Sequence, residues 1–290
     1  MTPLVYIVTV NWCGWRDTLA CVASLTKLRY PRYEIVVVDN GSHDDSVAKI
    51  RSAHPHMPVV ETGHNLGFAG GNNAGIRYAL SHHADYVWLL NNDTIVDPDA
   101  LCAMTAIADA DATIGAVGAV LYDMSNPQRV QVWGGGRVQM WLGTSSYCTG
   151  PVSPERLDYV SGASLFVKRE VFEQVGLLDE GFFMYWEDTD FAFRLKRSGY
   201  RMAVAKQARV WHKESASTGK GSAVLDTYFN ASAVRFFKRH SRLAVVPITI
   251  GVGRKILKRV SQGDWERVKA VWRGFCGKAP DIAGRGRRST

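Results

Sequence analysis

The stretch Glu34-Ile35-Val36-Val37-Val38-Asp39-Asn40-Gly41-Ser42 joins an apolar run to a polar turn. Its first half reads as a strand, Glu34 to Val38, and its second as a turn or helix cap. Upstream lies a similar strand, Val5 to Val10, followed by an amphipathic helix from Thr18 to Leu28 with Leu19, Val22, Leu25 and Leu28 on one side. Downstream come a helix near Ser46 to Ser52, a short strand at Val59-Val60, and a Gly-rich stretch, Gly67 to Gly75, leading into a helix that ends near Ser81. A fourth strand, Tyr86 to Leu90, runs into Asn91-Asn92-Asp93, after which Pro98 opens another helix at its favoured first-turn position. Strands alternating with helices predict an α/β fold with a mostly parallel central sheet flanked by helices.

Beyond residue 115 the pattern is looser. Residues 115–150 read as strands and glycine turns, including Gly134-Gly135-Gly136, in no order the pattern fixes. Val160 to Val167 and Met202 to Val204 resemble strands, Glu170 to Val175 a short helix, and Glu187 to Arg197 a helix with Phe191, Phe193 and Leu195 available for packing. No internal repeat or low-complexity stretch is evident.

With 290 residues and 46% hydrophobic content, the chain can form a packed core. No apolar run approaches the roughly 20 residues needed to span a bilayer. Met1-Thr2-Pro3 passes into the first strand without a signal-peptide pattern, so a cytoplasmic location is expected. Five scattered cysteines without CxxC spacing suggest neither disulfides nor a zinc site. The net charge of +8 is uneven, because residues 235–290 carry 15 Lys/Arg against 3 Asp/Glu. That asymmetry leaves the main domain slightly acidic, and no nucleic-acid-binding motif accompanies the basic tail.

Polar residues that end buried strands face the crevice where open α/β sheets bind ligands. Asp39 and Asp93 both occupy such ends, although each also suits a simple cap. The stretch Asn65-Leu66-Gly67-Phe68-Ala69-Gly70-Gly71-Asn72-Asn73 has glycines that allow close backbone approach, and it precedes a helix N-terminus that favours anions. It is neither a dinucleotide fingerprint nor a P-loop. In Phe182-Phe183-Met184-Tyr185-Trp186-Glu187-Asp188-Thr189-Asp190, aromatic rings meet three carboxylates; desolvation there favours a general base, and an acidic helix start beside a core stripe is the plainer reading. His212, after Val210-Trp211, is by itself more often structural than a metal ligand.

Taken together, these motifs resemble glycosyltransferase family 2, whose catalytic domain has the GT-A fold. The likeness covers roughly residues 4–215, through Val10-Asn11, Val38 to Ser42, Asn65 to Phe68, Asn91-Asn92-Asp93, Glu187 to Asp190 and His212, and Leu89-Leu90-Asn91-Asn92-Asp93 with Tyr228-Phe229-Asn230 adds a resemblance to the rhamnosyltransferase-type branch. The resemblance implies a GT-A domain over 1–240, with a nucleotide-sugar half (1–115) and an acceptor half (116–240), followed by a basic helical tail (241–290). It implies that Asp39 and the backbone near Val10 and Asn11 hold the base and ribose, with Asn65, Gly67, Asn72, Asn91 and Asn92 completing the nucleotide pocket. Asp93 matches the last position of the family's metal motif, and Asn91 stands where many members have Asp. Mg²⁺ or Mn²⁺ would then sit on Asp93, His212 and the donor's diphosphate, with Asp188 as base for an inverting displacement and Tyr185, Trp186 and Glu187 toward the acceptor. dTDP-rhamnose is the donor first implied, with UDP-sugars next.

In the tail, Asp264 to Phe275 places Trp265, Val268, Val271, Trp272 and Phe275 on one helical face, with Arg267, Lys269 and Arg273 elsewhere. That is the pattern of an interfacial helix, which could dock on the inner face of a membrane carrying a lipid-linked saccharide acceptor. The same face could pack on the main domain or on a second subunit as a homodimer contact. The terminal Gly284 to Thr290 is expected to lack fixed structure. A nucleotidyltransferase and a catalytically silent glycan- or lipid-binding module are the rival readings. The first lacks its basic phosphate loop here, and the second would not retain Asp93, Asp188 and His212.

Overall fold

The computed structural model describes residues 2–213 and 222–277, so the expectation for Gly284 to Thr290 lies outside the described residues. The elements in order are β1 (Val5–Asn11), α1 (Trp15–Leu25), β2 (Tyr33–Asp39), α2 (Ser46–Ala53), β3 (Val59–Glu61), α3 (Gly67–Ser81), β4 (Tyr86–Leu90), β5 (Thr94–Val96), α4 (Ala100–Asp109) and β6 (Ile114–Asp123). They continue with β7 (Asn126–Trp133), β8 (Gly135–Gln139), β9 (Thr144–Tyr147), β10 (Tyr159–Val160), β11 (Ser164–Lys168), α5 (Arg169–Val175), α6 (Glu187–Arg197), β12 (Arg201–His212), α7 (Ala223–His240), α8 (Val245–Ser261) and α9 (Trp265–Phe275).

The main sheet runs β3-β2-β1-β4-β11-β6-β12-β5, with β7 also paired to β6. The α/β architecture expected from the alternation is present, and its parallel character belongs to β3-β2-β1-β4. Beyond β4 the sheet is mixed: β11 lies antiparallel to both β4 and β6, while β12 runs parallel to β6. A second, three-stranded antiparallel sheet, β10-β8-β9, accounts for part of the region whose order the sequence pattern left open. Val160 to Val167 is two strands rather than one, because Ser161, Gly162 and Ala163 turn between sheets.

Alternation along β1 sends Val5 and Ile7 to one face, against Leu25, Leu101 and Met104, and Tyr6 and Val8 to the other, against Ile76 and Ala79. The Gly-rich stretch is not a loop. Helix α3 begins at Gly67 itself, and its glycines serve packing: a Cβ on Gly75 would sit 2.2 Å from Val8 Cγ1. Any larger side chain would lift α3 off the sheet. Pro98 likewise precedes the helix it was expected to open, and α4 starts after Asp99.

The C-terminal helices fold back on the segment that precedes α6. Phe236, Phe237, Ile248, Val252 and Val271 form one buried cluster with Phe182 and Trp186. Asp226 on α7 accepts from Arg259 Nε of α8 at 3.0 Å and Arg267 Nε of α9 at 2.6 Å, so one carboxylate ties three helices together. The expected face of α9 is split. Ala270, Val271 and Gly274 are buried, because a Cβ at Gly274 would lie 2.4 Å from the Thr227 carbonyl and the helix approaches α7 there. Trp265 and Trp272 remain 62% and 55% exposed. With Leu243, Val245 and Leu257 also exposed around α8, the helical pair keeps an apolar outer surface among basic residues. Among the described residues, no helix is long and apolar enough to cross a membrane.

Candidate active site

Strand registers bring three distant segments to one cavity. Leu90 pairs with Ser164, so Asn91 follows at the mouth of the sheet, where its N–H donates to the Ala163 carbonyl. His212 pairs with Thr94 of β5, which sets it beside Asp93 at the residue before. Helix α6 then delivers Glu187 and Asp188 in its first turn, where the helix dipole favours negative charge. The residues just before that turn, Tyr185 and Trp186, are left-handed at φ 69° and 68°. A pair of bulky residues in that region stores strain of about 1–3 kcal/mol each, which the aromatic packing around them must offset.

The resulting cavity, about 450 Å³, is lined by Asn91, Asp93, His212, Tyr185, Trp186, Glu187 and Asp188, all singled out from sequence. His212 Nε2 is 3.3 Å from Asp93 Oδ1 and 3.3 Å from Asn91 Nδ2. Asp188 accepts from the Gly162 N–H at 2.9 Å and the Thr189 N–H at 2.6 Å. Burial pushes the Asp188 carboxyl above its usual range against those hydrogen bonds. Glu187 is held well above the carboxylate range by burial and by its neighbour's charge. Its Oε2 is buried with no hydrogen-bond partner among the described residues.

The two aromatics differ. Trp186 is 3% exposed and packs against Phe236 and Phe237 with ring centroids 4.8 and 5.3 Å away, so most of its ring is in the core while it also borders the cavity. Tyr185 is partly open and rests on Phe229.

Val10, Asn11, Asp39, Asn65, Gly67, Asn72 and Asn92 do not line this cavity. They gather at the ends of β1 and β2 and the start of α3, where much of their polarity is spent internally. Asn11 Nδ2 donates to Asp39 Oδ1 at 2.8 Å, and Asp39 Oδ2 accepts from the Ser42 N–H at 2.9 Å. Asn65 Oδ1 accepts from the Gly67 N–H, Asn72 Nδ2 donates to the Phe68 carbonyl, and Asn92 Nδ2 donates to Thr18 Oγ1. These bonds set the loops rather than leaving side chains free for a ligand. Gly67 is required here, being at φ +74° with the Phe183 carbonyl 2.2 Å from where a Cβ would stand.

Gln131, Ser145, Ser146 and Tyr159, which also line the cavity, escape the sequence reading. Only Gly134-Gly135-Gly136 hints that strands cross closely there.

Asp93 and His212 suit a divalent cation, one hard oxygen and one imidazole nitrogen facing the same space. No group of three or more His, Cys, Asp or Glu side chains placed to hold a metal occurs among the described residues. Asp93 and His212 would be the residues of this chain that hold such a cation.

A rhamnosyltransferase of Mycobacterium tuberculosis strain H37Rv, N-acetylglucosaminyl-diphospho-decaprenol L-rhamnosyltransferase, is 27% identical over 267 residues, covering 83% of this chain and 86% of that protein. The dTDP-rhamnosyl transferase RfbF of Shigella flexneri is 24% identical over 193 residues, or 66% of this chain and 63% of that one. Among solved structures, a mannosyltransferase from Pyrobaculum calidifontis in complex with GDP-Man and Mn²⁺ superposes with a TM-score of 0.60 at 20% identity, covering 94% of this chain and 74% of that one. GalNAc-T7 with UDP, GalNAc and Mn²⁺ gives 0.70 at 17% identity, covering 97% and 57%. These likenesses establish the GT-A fold. The model of glycosyl transferase family 2 matches residues 4–176, and the chain therefore belongs to that family.

Proposed function

We propose that this glycosyltransferase is an inverting, metal-dependent enzyme that moves L-rhamnose from dTDP-rhamnose to a hydroxyl of a lipid-linked or cell-surface glycan. The observation that carries the reading is the meeting of Asp93, His212 and Asp188 at one cavity. The activities of the mycobacterial and Shigella relatives favour rhamnose over other sugars and a lipid-linked saccharide as acceptor.

In the proposed reaction the acceptor oxygen attacks the anomeric carbon from the face opposite the nucleotide. The bond from that carbon to the diphosphate oxygen breaks as the new glycosidic bond forms, and the acceptor proton passes to a carboxylate oxygen of Asp188. A single displacement inverts the anomeric configuration. The Gly162 and Thr189 hydrogen bonds hold Asp188 in one orientation, while burial keeps its proton affinity useful. A divalent cation held by Asp93 and His212 would neutralise charge developing on the departing diphosphate. Tyr185 offers a ring to the acceptor sugar, and the network of Asn11, Asp39, Asn65, Gly67 and Asn72 shapes the loops that receive the nucleotide.

We place the chain peripherally on the cytoplasmic face of a membrane, through the outer surface of α8 and α9. Exposed Trp265 and Trp272 beside Arg254, Lys258 and Arg273 suit an anionic lipid surface. The decisive experiment incubates the purified chain with labelled dTDP-rhamnose, Mn²⁺ or Mg²⁺ and a lipid-linked acceptor, then determines the anomer by NMR. Asp93→Ala should abolish the cation dependence of donor binding in calorimetry. Equal donor affinity with and without cation in the wild type would overturn the metal role, and turnover with UDP-sugars alone would overturn the donor.

A further inference from the structure

Gln131 belongs to none of the motifs above, yet it touches the centre of the site. Its Oε1 lies 2.8 Å from His212 Nδ1. An amide oxygen only accepts, so the imidazole N–H points at it. Nδ1 donates in the neutral tautomer this requires and in the charged ring alike. What the bond fixes is therefore the ring plane, and with it the direction of Nε2 toward Asp93 and Asn91.

The backbone shows a second, independent sign of design. In the β6–β7 ladder Leu121 pairs with Val132 but Tyr122 pairs with Val130, which leaves Gln131 as the extra residue of a β-bulge. Bulges re-aim a side chain that a regular strand would send to the other face. Gln131 lines the cavity, whereas its neighbour Val132 is 2% exposed and belongs to the buried core. The amide nitrogen of Gln131 is also buried, with no hydrogen-bond partner among the described residues. An apolar side chain would pack there without that cost, and packing alone gives no reason for an amide.

We propose that Gln131 is a positioning residue: the bulge turns it inward so that its carbonyl oxygen orients His212 for a divalent cation. The inference rests on the reading of Asp93 and His212 as the protein's cation donors. Outer hydrogen bonds of this kind hold metal-ligating histidines in place, and their loss typically weakens metal binding 10- to 100-fold.

The test compares wild type with Gln131→Met, Gln131→Glu and His212→Ala. Mn²⁺ affinity is measured by electron paramagnetic resonance in the presence of dTDP, and the His212 ring is observed by long-range ¹H–¹⁵N NMR in metal-free protein. Gln131→Met should weaken Mn²⁺ binding about 10- to 100-fold and shift the His212 Nδ1 signal, while Gln131→Glu, which keeps an acceptor, restores both. Gln131→Leu supplies the same deletion should the methionine variant fail to fold. Mn²⁺ affinity within twofold of wild type in the Met or Leu variant, with His212→Ala clearly impaired, overturns the role of Gln131 alone. Unchanged affinity in His212→Ala overturns the cation reading of the pair and this inference with it.

Discussion

Replacing Asp188 by Asn tests the base directly, because the two side chains have nearly the same shape. In the wild type Oδ2 accepts from the Gly162 N–H and Oδ1 from the Thr189 N–H and Oγ1. The remaining oxygen of Asn can serve only one of these sides. Its NH₂ then faces a donor, which leaves one N–H unsatisfied at about 1–3 kcal/mol. That is within reach of a domain stabilised by about 5–15 kcal/mol, so the variant should fold. The chemical loss is larger. A positioned general base contributes on the order of 10²–10⁴ in rate, or about 2.7–5.4 kcal/mol of barrier at roughly 1.36 kcal/mol per decade. Single-turnover transfer from labelled donor should fall at least 100-fold, while calorimetry shows donor affinity within about threefold of wild type. The wild-type rate should also rise with pH, because burial raises the Asp188 pKa and only the ionised form accepts the proton; that limb should vanish in the variant. Retention of more than about a tenth of the wild-type rate would refute Asp188 as the base.

Glu187→Gln should alter the pH dependence of stability. Burial raises the folded pKa, so above the ordinary carboxylate range the folded chain keeps a proton that the unfolded chain has lost, and stability falls as pH rises toward the raised value. The Gln variant lacks this fall, so its melting temperature should gain on wild type from pH 5 to pH 8; parallel curves would contradict the shift. Gly75→Ala pushes a methyl to 2.2 Å from Val8 Cγ1 and should cost about 1–3 kcal/mol in chemical denaturation, with an unaltered midpoint showing that α3 can yield. Trp265→Ala combined with Trp272→Ala should reduce co-sedimentation with anionic liposomes at least tenfold without changing turnover on a soluble acceptor. Binding that persists, or that ignores salt, would remove α9 from the membrane surface.

How far these features can be read from the chain depends on the range of the interactions involved. The strands β1, β2 and β4 are legible because each is an unbroken apolar run with a polar end, and both properties are local. Helix α6 is found at its observed bounds for the same reason, its acidic first turn meeting a clear helical spacing. The Gly-rich start of α3 misleads, since nothing local distinguishes a flexible loop from a helix whose small residues admit Val8 and Asn40. Trp186 and the split face of α9 are decided by α7, which is distant in sequence. Gln131 is hidden most deeply, because its role arises from a register slip between β6 and β7 that only the paired strands express.

The position of β11 has a consequence for anyone wishing to recombine this enzyme with its relatives. One strand that borders β4 comes from residues 164–168, so the N-terminal and C-terminal portions are woven through a common ladder rather than joined by a hinge. A crossover near residue 115 would set β4 of one parent against β11 of the other and mismatch side chains packed in the middle of the sheet. Donor preference should therefore be exchanged by grafting loops at the strand ends, with the woven sheet inherited from one parent.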